Sequence, residues 1–222
     1  MTVDAPAAAA RVEVRGEELL LLAERAACWT RAGTLLVADS HWGKAATLRA
    51  AGIPVPRGTT ADGIARLDTM LDRTRAHRVV FLGDFLHARE GRAAATLDAL
   101  RQWRARRGEV EMLVVRGNHD RRAGDPPAEL GIACVDGPVV EPPFVFTHHP
   151  GLSDDGYVLG GHLHPGVDLV GPARQRERLP CFWLGAGGGV LPAFGDFTGL
   201  WPVTPAHGDR VFVIAGSQVV ER

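Results

Sequence analysis

Short apolar runs alternate with polar segments along most of the chain. Five of these runs, TLLVA, RVVFL, EMLVV, PFVFT and YVL, are followed at once by polar or glycine-containing segments. Short β-branched runs bounded by turn formers are typical of buried strands. Further runs, CFWLG, one near residue 190 and RVFVIAG at 210–216, predict more closely spaced strands toward the end of the chain.

Two longer segments between the early strands have a helical period instead. Residues 59–76 place Ile64, Leu67 and Leu71 three and four residues apart, and residues 92–107 show a similar spacing. Each helix would cover a sheet with one apolar face. We therefore expect an α/β protein whose mixed sheets are parallel early and rich in hairpins late, folded as one domain over the whole chain.

The composition is that of an ordinary soluble protein. The net charge is -1, with 45% apolar and 23% charged residues, so no global field attracts nucleic acid or anionic lipid. Three scattered cysteines without CxxC spacing suit reduced thiols better than disulfides or a zinc knuckle. Because neither a signal peptide nor a membrane anchor is visible, we expect a cytoplasmic protein without membrane contacts.

Chemically active side chains are concentrated directly after the predicted strands. DSH carries Asp39 and His41, GDFLH carries Asp84, RGNHD carries Asn118, and the histidine pairs of THHP and GHLH follow the last two runs. Loops at the carboxyl ends of strands in open α/β sheets converge and form binding sites. A DxH or GD motif alone is weak evidence for a metal site, because an aspartate at such a position commonly caps a helix or forms a turn. However, seven of the nine histidines lie in these motifs, which packing alone does not explain.

Together the motifs offer carboxylates, imidazoles and one amide oxygen, but no thiolate. This mixture of oxygen and nitrogen donors suits Mn²⁺, Fe²⁺ or Zn²⁺ better than Ca²⁺. Seven ligands with one shared carboxylate imply two divalent cations. Two cations about 3.5–4 Å apart can activate a water, clamp phosphoryl oxygens and neutralise developing charge, and phosphate ester hydrolysis requires all three.

The ordered motifs DxH, GD, GNHD, HH and GHxH resemble those of the calcineurin-like metallophosphoesterase superfamily over residues 39–164. The resemblance implies a four-layer α/β/β/α sandwich with mixed sheets and the active site at the carboxyl ends of the strands. It implies one metal held by Asp39, His41, Asp84 and His164, and a second held by Asp84, Asn118, His148 and His162. His119 matches the family's catalytic histidine, which protonates the leaving group. The family pattern places the ligand of THHP at His148 rather than His149.

Longer segments, residues 39–60, 83–88 and 191–199, are similar to the bacterial ligase-associated DNA damage response endonucleases. This similarity implies a manganese-preferring enzyme that acts on single-stranded or hairpin DNA in repair, in functional association with a DNA ligase and a helicase. The chain departs from the family pattern at Ser40, Trp42 and the pair LW at 200–201. None of these departures removes a ligand, so they bear on substrate fit rather than on catalysis.

Basic residues and one further histidine lie beside the motifs. The basic residues could pair with substrate phosphates or simply be solvated. They are Lys44, Arg49, Arg57, Arg116, Arg121 and Arg122. His87 follows Asp84 by three residues and is either a substrate contact or a hydrogen-bond partner of a ligand. The residues that we expect to bind substrate are Lys44, His87 and Arg121.

Three functions are compatible with these residues. The leading hypothesis is a metal-dependent DNA endonuclease or phosphodiesterase. The same chemistry could act instead on nucleotides or other small phosphate esters, which the near-neutral charge favours. A catalytically silent scaffold on this fold would lack ligands or the catalytic histidine, whereas this chain retains all of them.

Overall fold

The computed structural model describes residues 9–56, 58–171 and 175–222, so Arg57 lies outside the described residues. The elements of the first part are β1 (Ala9–Val14), β2 (Glu17–Leu22), β3 (Ala26–Trp29), β4 (Thr34–Val37), α1 (Lys44–Ala50), α2 (Thr59–Thr74), β5 (Arg78–Phe81), α3 (Ala94–Arg106), β6 (Glu111–Val115), α4 (Asp120–Ala123) and β7 (Ala133–Val135). Short 3-10 helices cover Arg89–Arg92 and Ala128–Leu130. The remaining elements are β8 (Val139–Glu141), β9 (Phe144–Phe146), β10 (Tyr157–Gly160), β11 (Pro165–Val170), β12 (Arg176–Leu184), β13 (Gly188–Val190), β14 (Trp201–Pro202), β15 (Arg210–Ala215) and β16 (Gln218–Glu221).

The first sheet contains β1 to β7 side by side in chain order. Strands β1 to β4 pair antiparallel, whereas β4, β5, β6 and β7 pair parallel. Parallel neighbours need crossover connections, and the helices α2 and α3 supply them between β4, β5 and β6. As a result, the carboxyl ends of these three strands lie together at one edge of the sheet.

The second sheet is mixed, with the order β14, β11, β12, β13, β10, β9 and β8, and with β15 and β16 added beside β12. Strands β9, β10 and β13 pair parallel, and the hairpins β11–β12 and β15–β16 are antiparallel. The parallel pairing brings the carboxyl ends of β9 and β10 to the same edge. The histidine motifs follow these two strands directly.

Two apolar layers hold the elements together. Leu67 of α2 and Trp103 of α3 are buried with Phe81 of β5 in the layer between the first sheet and the helices. On the opposite face of β5, Val80 is buried with Phe146 and other residues of the second sheet. Because neighbouring residues of a strand point to opposite faces, a strand segment buried on both faces is apolar throughout, as VVFL after Arg78 is.

The predicted α/β class with two mixed sheets is confirmed, and so are the predicted strands and the helices at 59–76 and 92–107. The described residues supply three of the four expected layers, since none of their helices follows Leu130. On the second sheet, Trp183 of β12 donates a 2.7 Å hydrogen bond to the Asp209 carboxylate, which precedes β15. Within the described ranges, no helix has both the length and the hydropathy that crossing a membrane requires.

Candidate metal centre

The predicted ligands follow strands whose carboxyl ends meet at one edge of the packed sheets. Hydrogen bonds extend the pairing of β4 and β5 into the loops, because the Asp39 N–H donates to Gly83 O at 3.2 Å and the His41 N–H donates to Asp84 O at 2.9 Å. The DSH and GDFLH loops therefore run side by side. One oxygen each of Asp39 and Asp84 lies within 4.8 Å of the other and of a ring nitrogen of His148.

The backbone at this edge is bent into an unusual conformation. Five of the seven predicted ligands have left-handed φ angles: Asp39 at 51°, His41 at 45°, Asp84 at 52°, His162 at 69° and His164 at 48°. A positive φ is uncommon outside glycine, although Asp and His adopt it more readily than bulkier residues. Such strain persists where the surroundings impose it, and it is concentrated at functional sites.

Asp39, His41 and His164 form the first cluster of potential ligands, with their donor atoms within 4.8 Å of one another. His164 Nε2 lies 3.6 Å from Asp39 Oδ1, and His41 Nε2 lies 3.8 Å from Asp84 Oδ2. The second carboxylate, Asp84, therefore contacts this group as well.

The second cluster lies on the other side of Asp84. His148 Nε2 is its centre, 3.5 Å from Asp84 Oδ1, 3.0 Å from Asn118 Oδ1 and 3.1 Å from His162 Nδ1. Two ligands that are each about 2.1 Å from one cation lie about 3 Å apart. The spacing within each cluster suits one cation. Asp84 reaches both clusters, one with each of its two oxygens.

One atom of the site lacks any hydrogen-bond partner. Asp39 is fully buried, and its Oδ1 has no donor within reach, whereas Oδ2 accepts the His162 N–H at 2.9 Å. An ionised oxygen without a partner is costly inside a protein unless it coordinates a cation. The residues present therefore fit a divalent metal, and the first cluster contains the atom that most requires one.

The imidazoles are in the form that binds metals. Burial lowers the pKa of His41, His148 and His162, so the neutral ring dominates near pH 7. His148 Nδ1–H donates to Leu82 O at 3.0 Å and His164 Nδ1–H donates to Gly199 O at 3.2 Å. These bonds leave Nε2 of both rings unprotonated and directed at the clusters, which is how ligand histidines are usually oriented.

Burial distinguishes the two adjacent histidines of THHP. His148 is 2% exposed and contacts Asp84 and Asn118, whereas His149 is exposed at the rim. The His149 ring lies 4.3 Å from the His162 ring between centroids. His149 thus lies at the edge of the second cluster, where its donor atom comes within 4.8 Å of those of His148 and His162, whereas His148 lies at the centre of the cluster.

His119 lies at the mouth of the site with its orientation fixed. Its N–H donates to Asp84 Oδ1 at 2.9 Å and its Nδ1–H donates to His87 O at 2.6 Å. His87 stacks on the His119 ring at 4.9 Å, and its Nδ1 lies 3.2 Å from Nδ1 of His41. His87 thus both orients a predicted ligand and lines the cleft that His119 enters, so the structure accommodates both alternatives considered for it.

Asp120 supports the candidate site, a role that the sequence alone did not indicate. It is buried, and its carboxylate accepts the N–H groups of Gly117 at 2.9 Å and Leu86 at 3.2 Å. It thereby joins the loop that carries Asn118 to the loop that carries Asp84. A Cβ on Gly117 would collide with the Asp84 carboxylate, so this close approach requires glycine.

The basic residues are distributed over two sides of the centre. Arg121 lies with His87 and His119 in an open cleft of about 540 Å³, which also contains Arg89 and Arg122. Lys44 begins α1 and lines a separate small cavity with His41. Burial lowers the Lys44 pKa, while Asp39 and Asp84 act to raise it.

Two of the arginines considered from the sequence are engaged elsewhere. Arg116 forms ion pairs with Asp125 at 2.7 Å and with Asp136 at 3.0 Å. Arg49 donates to Pro56 O at 3.0 Å. Arg116 is therefore paired with carboxylates on the protein itself, and Arg49 makes one hydrogen bond to the backbone.

Two adjoining clusters of carboxylate, amide and imidazole donors at the strand ends of two packed mixed sheets define a metallophosphoesterase. The solved structure of the Pseudomonas putida nuclease MPE is 43% identical, with alignment over 96% of this chain and 100% of that one and a TM-score of 0.86. The chain belongs to the family of this protein, the metallophosphoesterase-type nucleases.

Other solved structures are less similar. The phosphoesterase Yfce from E. coli is 12% identical over 85% of this chain and 97% of its own, with a TM-score of 0.40. The protein AQ665 from Aquifex aeolicus is 13% identical over 59% of this chain and 78% of its own, with a TM-score of 0.41. No protein-family model and no curated protein matches the chain.

Proposed function

We propose that this protein is a metal-dependent DNA endonuclease that hydrolyses phosphodiester bonds with two divalent cations. The observation that carries the proposal is the buried, unpartnered Asp39 Oδ1 beside two clusters that share Asp84. The first cation would be held by Asp39, His41, Asp84 and His164, and the second by Asp84, Asn118, His148 and His162. Donors of this kind suit Mn²⁺, Fe²⁺ or Zn²⁺, and the family resemblance of the motifs favours Mn²⁺ among them.

When bound, the cations supply charge that stabilises the phosphoryl oxygens and makes the attacking water acidic. The protein contributes an oriented acid on the opposite side of the reacting phosphate. Since His119 Nδ1–H is bound to His87 O, the proton that His119 can transfer is carried by Nε2. In the imidazolium form, His119 Nε2–H protonates the departing 3′-oxygen of the cleaved strand, a step that contributes about 10²- to 10⁴-fold in typical enzymes.

The similarity to the nuclease MPE and the shape of the site support a polymeric substrate. The cleft beside His119 is open, and Arg89, Arg121 and Arg122 line it. Pockets for small molecules are usually concave and enclose most of their ligand, whereas an open basic cleft suits a backbone of successive phosphates. Arg121 and His87 would contact phosphates on this side and Lys44 on the other.

The wider setting that we propose is DNA repair in the cytoplasm, on single-stranded or hairpin DNA. The same proposal includes a functional association with a DNA ligase and a helicase. It also includes a single domain over residues 1–222. The family resemblance of the motifs supports it.

The role of His119 can be tested by changing the leaving group. p-Nitrophenolate departs without protonation, whereas the 3′-oxygen of DNA needs a proton. We expect His119→Ala to reduce kcat on DNA by about 10²- to 10⁴-fold and to reduce hydrolysis of bis(p-nitrophenyl) phosphate far less. An equal loss on both substrates would exclude His119 as the acid.

Two controls accompany this assay. Asp84→Ala should abolish activity on both substrates and lower the bound metal measured after purification without chelator. If the wild-type protein with full metal content leaves single-stranded and hairpin DNA intact, the nuclease proposal fails. Rapid hydrolysis of nucleotides or small monoesters in that case would identify the alternative, an enzyme of small phosphate esters.

A further inference from the structure

Two exposed aromatic side chains lie next to the proposed metal centre and have no role in the chemistry described above. Phe197 is 44% exposed and Trp201 is 68% exposed, although residues of this size are usually buried for most of their surface. Phe197 lies in the segment between β13 and β14, and Trp201 is the first residue of β14, on the side of His164. Their exposure leaves two flat apolar faces available to a ligand.

Backbone hydrogen bonds attach this segment to the site at both ends. The Gly195 N–H donates to Asp39 O at 3.0 Å, and the Trp201 N–H donates to His164 O at 2.9 Å. Between these points, Gly199 O accepts the His164 Nδ1–H at 3.2 Å. Residues 195–201 therefore form an arch from one proposed ligand to another, which fixes the aromatic side chains relative to the centre.

The arch holds Phe197 in a strained conformation. Its φ angle is 60°, in the left-handed region that bulky residues avoid. Thr198 Oγ1 donates to Gly195 O at 3.1 Å, and Arg66 donates to Phe194 O at 2.9 Å, so the turn is braced from both sides. Strain of this kind is concentrated at ligand-binding sites, where the surroundings hold a side chain in the required place.

The surroundings of the two rings indicate what they bind. Lys44 and Phe197 line one cavity with His41, so a cation and an aromatic ring border the same space beside the proposed metal centre. Thr198, Gly199 and Leu200 lie between Phe197 and Trp201 in the chain, and Leu200 is half-buried. Exposed aromatic rings and a cation at one site match a nucleotide strand, in which bases stack and phosphates pair with lysine or arginine.

We propose that Trp201 and Phe197 form a base-stacking site that holds unpaired nucleobases close to the scissile phosphate. This inference rests on the proposed nuclease function and adds the contact that positions the strand. Bases inside a duplex stack on their neighbours and offer no free face to either ring. The site therefore favours strands whose bases are turned out, and Trp201, as the more exposed ring, carries the larger share.

The test uses a series of single-stranded oligonucleotides in which one nucleotide at a time is abasic. With Mn²⁺ and the wild-type protein, one position should raise KM by about 5- to 150-fold, the range expected for one stacked base. Trp201→Ala should raise KM for the intact strand by a similar factor, with a smaller change in kcat. The abasic position should then add no further increase, because the ring and the base act as a pair.

Two variants control this experiment. Val220→Ala removes an apolar side chain of comparable exposure, 51%, on β16, and should leave KM unaltered. Trp201→Phe retains an aromatic face and should restore most of the affinity. Equal KM values for Trp201→Ala and Val220→Ala would overturn the inference while leaving the nuclease proposal intact, whereas failure of the wild-type protein to cleave any oligonucleotide would overturn the nuclease proposal itself.

Discussion

Replacing Asp39 by asparagine separates the role of this residue in metal binding from its effect on folding. The side chain is fully buried, its Oδ1 has no partner, and its Oδ2 accepts the His162 N–H. Asparagine has the same shape, retains the acceptor for His162, and tolerates the left-handed φ of 51°. Its amide N–H group would also face His164 Nε2, which lies 3.6 Å from Asp39 Oδ1. The substitution therefore removes a buried charge with little other change.

The magnitude follows from the neighbouring carboxylate. One oxygen of Asp39 lies within 4.8 Å of one of Asp84, and two full charges at that distance repel by about 3.5 kcal/mol at an effective dielectric constant near 20. Because burial raises the Asp84 pKa, any protonation of that carboxyl group would weaken the repulsion. We expect Asp39→Asn to raise the free energy of unfolding of the metal-free protein by about 1–3 kcal/mol, in the range of an unsatisfied buried polar group.

Bound metal reverses this order of stability and makes the wild-type protein the more stable of the two. A cation at 100 times its Kd stabilises the wild-type protein by about 2.7 kcal/mol per site, and the variant forgoes most of this because it lacks a charged ligand. Urea unfolding in EDTA and in Mn²⁺ measures both effects. Glu13→Gln on β1, which removes an exposed charge, is the matched control and should change neither curve. An Asp39→Asn protein that is less stable than wild type in EDTA would refute the buried-charge argument.

Two further substitutions test the architecture of the centre. Asp120→Asn replaces one of the acceptors for the Gly117 and Leu86 N–H groups by a donor. It should therefore lower the free energy of unfolding by about 1–3 kcal/mol and reduce kcat. Unchanged urea curves would show that the carboxylate does not join the loops. His148→Ala should lower the Mn²⁺ affinity by more than the 10- to 100-fold typical of a residue that only supports a ligand, whereas the loss for His149→Ala should stay within that range. Isothermal titration with Mn²⁺ measures both affinities. A larger loss for His149→Ala than for His148→Ala would exchange the two assignments.

The strands were predictable where consecutive residues are buried on both faces, because such segments are apolar without interruption. The same property explains why the polar motifs could be placed, since residues such as Asp39 and Asn118 interrupt the apolar pattern where the parallel strands end. By contrast, β1 to β3 were not predicted. The run EELLLL of β2 has no period that separates a strand from a helix, and its structure depends on pairing with β1 and β3.

The contacts that orient the ligands could not be derived from the sequence. His41 and His87 lie 46 positions apart, and their 3.2 Å contact exists only because the DSH and GDFLH loops run side by side. Burial likewise distinguishes His148 from His149, although two adjacent histidines look alike in a sequence. Asp120 is part of the RGNHD motif, but its hydrogen bonds to two backbone groups are a property of the fold.

The left-handed backbone at Asp39, Asp84 and three of the histidines connects these observations. In most of the chain, local preference and final conformation agree, as they must for a sequence to specify one fold. At the ligands they disagree, since strained φ angles, close carboxylates and an unpartnered oxygen are each unfavourable in the absence of a cation. Residues retained against local preference are expected where a ligand supplies the missing stabilisation. A metal-binding function thus accounts for the same features that make the site the least favourable part of the fold, and Asp39→Asn measures the size of that conflict directly.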